Sequence, residues 1–148
     1  MIEIRKTDLN EEVVSRLIEL SKIWDKENIT GGYRANEKSD LYEPCYIALD
    51  GNKIVGYIFG HYQVRETKIG QIEVGTEVFY VEELYVIKEY RSLGIGKKLF
   101  KALEKEVKEK VKFITLSTST KDYKRILKFY DEDLGMDFHS AFFIKEIN

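Results

Sequence analysis

Hydrophobic side chains recur along this chain in two rhythms, every second residue and every third or fourth, and these lay out the elements. Ile2 and Ile4 alternate with Glu3 and Arg5, which predicts a short strand. Asn10 is placed to cap a helix, and Leu9 with Val14 fits a hydrophobic staple across its start. Val13, Val14, Leu17, Ile18, Leu20 and Trp24 hold helical spacing, so that helix runs to about Trp24. Residues 25–43 are polar and contain Gly31-Gly32, which predicts a loop with a short, weak helix. Tyr46 to Leu49 is strand-like, Asp50-Gly51-Asn52 signals a hairpin, and Ile54 to Val64 returns as a second strand. A polar loop at 65–75 leads into a long strand from Thr76 to Ile87. Ile95, Leu99, Leu103, Val107 and Val111 then recur at every fourth position with charges between them, the sharpest helical pattern in the chain. Phe113 to Leu116 is a buried-type strand, and Ile126, Leu127 and Tyr130 mark another helix. Phe138 and Phe142 to Ile147 predict closing strands. The order is β-α-(α)-β-β-β-α-β-α-β-β. Hairpins make the front half antiparallel, and the strand–helix–strand unit at 76–116 requires a parallel crossover. The expected class is α/β (α+β): a mixed, mostly antiparallel sheet with helices on both faces.

Composition narrows the chemistry. The 148 residues suit one domain, and a chain this long buries a sizeable core unaided. Basic residues number 24 and acidic ones 26, a net charge of −2, which argues against the basic field that nucleic-acid binding needs. The single cysteine, Cys45, excludes an internal disulfide and any multi-cysteine metal site, and His61 and His139 leave little for a metal cage. No apolar run approaches the roughly 18 residues of a membrane span. The opening residues lack the basic-then-apolar pattern of a signal peptide. A soluble, cytoplasmic protein without metal, nucleic-acid or membrane partners is therefore expected. His61, His139 and Cys45 read best as structural residues, and two histidines support no Ser-His-Asp or Cys-His order.

The informative stretch is Glu82-Glu83-Leu84-Tyr85-Val86-Ile87-Lys88-Glu89-Tyr90-Arg91-Ser92-Leu93-Gly94-Ile95-Gly96-Lys97-Lys98. A strand ends near Ile87, a short loop holds Arg91 and Gly94, and a helix begins at about Gly94. Glycines there let the main chain approach a bulky anion. First-turn N–H groups have no partner inside the helix, and the helix dipole adds positive charge. Together they predict a phosphate or pyrophosphate cradle, with Lys97 and Lys98 beside it. The loop is not a P-loop: that pattern would need glycine at Arg91 and a hydroxyl at Lys98. Nor is it a dinucleotide fingerprint, which would need glycine at Leu99.

Arg91-Ser92-Leu93-Gly94-Ile95-Gly96 resembles the (Arg/Gln)-x-x-Gly-x-(Gly/Ala) motif of the Gcn5-related N-acetyltransferases (GNAT). The likeness extends through Glu83-Leu84-Tyr85-Val86, Tyr90 and Ile54-Val55-Gly56-Tyr57, and the element order is similar over nearly the whole chain. The resemblance implies an acetyl-CoA-dependent transferase acting on a primary amine by direct transfer in a ternary complex. It implies a cofactor lying in the gap between the long strand and Phe113–Leu116. Its pyrophosphate would rest on the N–H groups of Arg91, Ser92, Leu93, Gly94, Ile95, Gly96 and Lys97. Its pantetheine would pair with Leu84, Tyr85 and Val86, where a main-chain N–H polarises the thioester carbonyl. Homodimers are common among such relatives. A non-catalytic acyl-CoA-binding module and a transferase using another acyl-CoA stand as alternatives.

A free alkylamine has a pKa near 10.4, so only roughly 1 in 10³ to 10⁴ molecules is neutral at pH 7. Glu82 and Glu83 lie beside the gap on a strand, where only one of two neighbours ordinarily faces the substrate. Glu82 shares parity with Tyr80, Leu84 and Val86 and matches a glutamate near the acceptor site of diamine acetyltransferases. It is the expected general base, through water, with Glu83 second; a strand bulge would exchange them. Tyr130, in Tyr130-Asp131-Glu132-Asp133-Leu134-Gly135-Met136, resembles the family's Tyr-x-x-Leu-Gly-Phe, whose tyrosine often protonates the leaving thiolate. Here one residue is inserted before Leu134, and Tyr123 stands where relatives often carry a cofactor-holding Asn. Ser117-Thr118-Ser119-Thr120 is expected to cap the next helix and to lie near the cofactor. Between Arg65 and Glu83 five acids face two bases. If this segment lines the acceptor side, it selects a cation such as a polyamine, aminoglycoside or peptide amine.

Overall fold

The computed structural model describes residues 1–148. In chain order the elements are β1 (Ile2–Thr7), α1 (Glu11–Glu27), β2 (Cys45–Asp50), β3 (Lys53–Val64), β4 (Glu77–Val86), α2 (Ile95–Val107), β5 (Ile114–Thr115) and α3 (Tyr123–Lys128). Short 3₁₀ turns occupy Lys38–Asp40 and Lys88–Tyr90, and one turn of π-helix spans Phe129–Asp133. The strands form one sheet in sequence order, antiparallel from β1 to β4 and parallel between β4 and β5. No helix is long and apolar enough to cross a membrane.

Asn10 caps α1 as its sequence suggests: its Oδ1 accepts the Val13 N–H at 2.9 Å. The helix runs three residues past Trp24 and stops at Asn28 in the left-handed region, φ 53°. Its apolar stripe, Val13, Leu17 and Leu20, is buried. Trp24, near its end, stacks on Tyr85 of β4 at 4.9 Å. The other face of the sheet takes α2. A Cβ on Gly56 of β3 would lie 3.4 Å from the Leu99 side chain, so α2 packs on bare backbone there. Leu99, Leu103 and Val107 of α2 are fully buried. Gly56 pairs with Val86 and Tyr57 with Tyr85, so these neighbouring rungs address opposite faces, one to each helix.

β3 and β4 pair regularly from Gly56–Val86 to Phe59–Glu83, and then the register slips so that Gly60 meets Val81. Glu82 is the extra residue of a β-bulge on β4. Gly60 makes the bulge possible. A Cβ there would overlap the Tyr80 carbonyl oxygen and lie 2.8 Å from the Phe79 ring.

The carboxy-terminal region differs from the sequence reading. Residues 134–148 hold no strand, so the expected closing strands at Phe138 and Phe142–Ile147 are not formed within the chain. Strand periodicity records only a preference for extended backbone; a strand also needs a partner edge. β5 is correspondingly short, two residues rather than four.

Gly60→Ala should destabilise the protein by about 3 kcal/mol, the upper end of the overpacking range. Urea unfolding of the two proteins checks this, and an unchanged midpoint would show that the bulge tolerates a side chain.

Candidate active site

β4 is paired along β3 as far as Val86, yet it touches β5 only at Phe79 and Tyr80. Beyond Tyr80 the parallel strands part. The gap opens into a cleft of about 880 Å³ lined by residues from β4, the β4–α2 loop, the β5–α3 segment and the end of α1. The loop at 29–31 closes one side: Gly31 N–H donates to the Ser119 carbonyl at 2.9 Å, and Lys121 N–H to that of Ile29 at 2.6 Å.

The β4–α2 loop forms the floor. Arg91 N–H is bonded to Lys88 O, and Lys98 N–H opens the α2 ladder on Gly94 O. Between them, the N–H groups of Ser92, Leu93, Gly94, Ile95, Gly96 and Lys97 have no main-chain acceptor. Left-handed φ values at Ser92 (64°) and Gly94 (81°) produce this run, because alternating hand turns successive amides into a concave nest. Gly94 needs to be glycine for its φ. Gly96 faces the Phe129 ring, which a Cβ there would just touch, at 3.4 Å. Of Arg91 to Lys97, all line the cleft except Leu93, whose side chain is exposed; Lys98, expected beside Lys97, does not line it. Leu84, Tyr85 and Val86 line it from β4.

Sequence reasoning missed the groups that hold this loop in place. The Arg91 guanidinium donates to the Val86 carbonyl and to Glu27 Oε2, each at 2.8 Å, and stacks over Tyr85. Glu27 also accepts the Tyr85 hydroxyl at 2.7 Å. The Tyr90 hydroxyl donates to Asp50 at the β2–β3 turn. Arg91 is thus a strut between α1, β4 and the loop. Nothing in the sequence around Glu27 marks it as the partner of a residue 64 positions away.

The bulge changes the reading of the two glutamates. Regular alternation sends Glu82 and Glu83 to opposite faces, but the extra residue brings both to the cleft. Glu82 Oε1 lies 2.9 Å from His61 Nε2, which gives that histidine a partner the sequence did not imply. Glu83 is half-buried, and its Oε1 alone accepts three donors: Tyr57 OH at 2.7 Å, Asn36 Nδ2 at 2.9 Å and Tyr33 OH at 3.3 Å. Burial raises the Glu83 pKa above the ordinary carboxylate value, and the three hydrogen bonds oppose that rise. The same burial and the neighbouring Glu83 charge push the Tyr33 hydroxyl well up, which fixes it as a donor. Of the other acids in the 65–83 segment, Glu66, Glu73 and Glu77 stand away from the cleft, with Glu73 and Glu77 paired to Lys68 and Lys110. From that segment Glu82 and Glu83 alone line the cleft, and Asp133 lines it from the π-helical turn.

Tyr130 lines the cleft despite the inserted residue. The chain takes up the insertion in the π-helical turn: Leu134 N–H reaches back five residues to Phe129 O at 3.0 Å, and Leu134 stays buried. Burial pushes the Tyr130 hydroxyl up to about 12, so it is protonated at neutral pH. The Ser117–Thr120 segment also lines the cleft, but the residue at the cap of α3 is Asp122, whose N–H bonds Thr120 Oγ1. Cys45 is buried away from the cleft. No group of three or more His, Cys, Asp or Glu side chains is placed to hold a metal ion.

The family model described as the acetyltransferase (GNAT) family matches residues 11–136. The chain belongs to that family. Solved GNAT-like structures share its fold across essentially their whole length. An aminoglycoside acetyltransferase from an uncultured soil metagenomic sample has a TM-score of 0.69 at 18% identity, covering 100% of this chain and 99% of its own. AAC(6')-Iy in complex with a bisubstrate analogue, CoA-S-monomethyl-acetylneamine, has a TM-score of 0.68 at 15% identity, covering 100% and 99%. A ribosomal-protein-alanine N-acetyltransferase from Brucella melitensis biovar Abortus 2308 has a TM-score of 0.67 at 15% identity, covering 98% and 99%. No curated protein sequence matches the chain. At these identities the likeness speaks for the fold, and family membership rests on the sequence model.

Glu83→Gln keeps the acceptor oxygen and removes the half-buried charge. A carboxyl whose pKa is raised by folding loses stability as pH climbs from the ordinary value through the raised one. The variant should therefore melt higher than the parent at pH 7, and the difference should vanish as pH falls below the ordinary carboxylate range. Calorimetric melting across that range checks both points.

Proposed function

We propose that this protein transfers the acetyl group of acetyl-CoA directly to a cationic primary amine bound in the same cleft. The observation that carries the reading is the meeting, in one cleft, of six main-chain N–H groups without internal acceptors and two carboxylates brought together by a bulge.

Acetyl-CoA supplies the activated acetyl thioester. The residues present suit it: the Ser92–Lys97 amides and the α2 dipole offer a pyrophosphate seat, and Lys97 adds charge. The free edge of β4 offers main-chain groups of Leu84 and the N–H of Val86, whose carbonyl Arg91 already takes, to an extended pantetheine, with Tyr85 lining the same stretch. On the acceptor side, the half-buried Glu83 draws an ammonium group inward while Tyr33, Asn36 and Tyr57 fix its carboxylate. Glu82 takes the amine proton through water, and His61 at 2.9 Å passes it towards solvent. Tyr130, held protonated by burial, returns a proton to the departing sulfur. The neighbours' names support an amine acceptor, being an aminoglycoside acetyltransferase and an alanine N-acetyltransferase. The π-helical turn removes one reason for preferring a non-catalytic binding module, since the inserted residue leaves Tyr130 at the cleft.

Thiol release from acetyl-CoA, measured over a panel of polyamines, aminoglycosides and peptide amines, tests the reading; binding without turnover on any amine would overturn it. With an accepted amine, Glu82→Gln should lower kcat by about 10²–10⁴-fold, the usual worth of a general base. Its acetyl-CoA affinity in calorimetry should be unchanged. Gly96→Phe should lose that affinity by at least about a hundredfold, because the side chain fills the seat and strikes Phe129; equal affinity would refute the seat.

A further inference from the structure

A continuous column of stacked groups runs from the acceptor carboxylate to the β4–α2 loop. At one end the Tyr33 hydroxyl donates to Glu83 Oε1. The Tyr33 ring stacks on Trp24 with centroids 4.1 Å apart, and Trp24 stacks on Tyr85 at 4.9 Å. Tyr33 and Tyr85 make no ring contact with each other, so the indole lies between them. At the far end the Arg91 guanidinium lies 5.4 Å over the Tyr85 ring, and Glu27 Oε2 accepts from both Tyr85 and Arg91. The indole is held in its plane: its N–H donates to Thr30 Oγ1 at 3.0 Å, and Thr30 is bridged in turn to Thr120.

Both ends have room to change. Tyr33 makes the longest of the three bonds to Glu83, 3.3 Å against 2.7 Å from Tyr57 and 2.9 Å from Asn36. Arg91 lines the cleft next to the Ser92–Lys97 amides, so an anion resting on them competes with Glu27 for its guanidinium. Carboxylate and phosphate both match that planar fork, which makes the two arrangements close rivals. Tyr85 feels the outcome twice, through its ring under Arg91 and through its hydroxyl on Glu27. Close-packed rings pass such a displacement on rather than absorb it.

We infer that Trp24 is a positioning residue: filling the pyrophosphate seat draws Arg91 from Glu27, and the column passes the change through Tyr85 and Trp24 to Tyr33, which resets the Glu83 carboxylate for the amine. The inference rests on the seat proposed above and adds a link between the two half-sites. Arg91 is the element with two arrangements, and a ligand at either end biases it. The coupling is reciprocal, so an amine on Glu83 favours a filled seat by the same factor.

Adenosine diphosphate separates the column from direct contact, because it carries the diphosphate without the pantetheine arm. Asn36 reads the far end: it is buried, donates to Glu83, and lines the small groove beyond Glu83 rather than the cofactor cleft. Trp24, the chain's only tryptophan, reads the middle by its fluorescence. On titrating the full chain with adenosine diphosphate, the Ser92–Lys97 amide signals, the Trp24 emission and the Asn36 side-chain amide signals should change with one midpoint. Two variants cut the column at different points. Tyr33→Phe keeps the ring on Trp24 and removes the hydroxyl from Glu83; the loop amides and the emission should still respond while Asn36 falls silent. Trp24→Leu removes the middle of the stack; the loop amides should respond and Asn36 should not. Should Trp24→Leu fail to fold, Tyr33→Phe alone decides. A parent in which the loop amides shift while Trp24 or Asn36 stays still, or an Asn36 response that survives in a folded variant, would overturn the column and leave the seat standing. Loop amides indifferent to adenosine diphosphate would overturn the column and the seat together.

Discussion

The first N–H groups of a helix have no acceptor within it, and in this fold six in a row, Ser92 to Lys97, find none anywhere inside the protein. That constraint organises the molecule. The nest exists because Ser92 and Gly94 adopt left-handed φ, which leaves the start of α2 uncapped by any side chain. Strained backbone of this kind persists only when its surroundings hold it. Here the hold is explicit: Glu27 and the Val86 carbonyl clamp Arg91, Asp50 clamps Tyr90, and Leu99 anchors the helix on Gly56. The helix dipole then gives the free amides their preference for an anion. One long amphipathic helix thereby serves as both the core of one layer and the source of the positive end.

The second organising feature is the bulge at Glu82. It is a one-residue event, permitted by a glycine on the opposite strand. It turns two adjacent carboxylates towards one cleft and coincides with the point where β4 leaves β5. The cleft and its negative wall therefore share one cause. The aromatic cluster of Trp24, Tyr33, Tyr57 and Tyr85 lines the face beneath it and ties α1 to the sheet. Through Tyr33 and Tyr57 the same cluster donates to Glu83, so packing and electrostatics are set by the same rings.

Features encoded locally were legible from the chain alone. The Asn10 cap, the Gly51 turn and the α2 stripe each depend on residues a few positions apart. The run of free amides at the start of α2 was legible because glycine spacing at a strand-to-helix junction is itself a local signal. Features that depend on distant partners were not. Whether Glu82 and Glu83 face together is decided by Gly60, more than twenty residues upstream. Asn36 and Tyr33 reach Glu83 across 47 and 50 residues of chain. The inserted residue before Leu134 was visible, yet its absorption in a π turn follows from packing around Leu134 and Phe129. The tail failed as a prediction for the converse reason: its local pattern is that of a strand, but pairing is a property of an edge elsewhere.

The most direct test of the central claim follows the main-chain amides themselves. In nitrogen–proton correlation spectra of the labelled protein, the amides of Ser92 to Lys97 should exchange rapidly with solvent in the free state. On adding acetyl-CoA they should show the largest shifts and become protected. Protection of those amides before ligand is added, or shifts confined to other parts of the chain, would contradict the account.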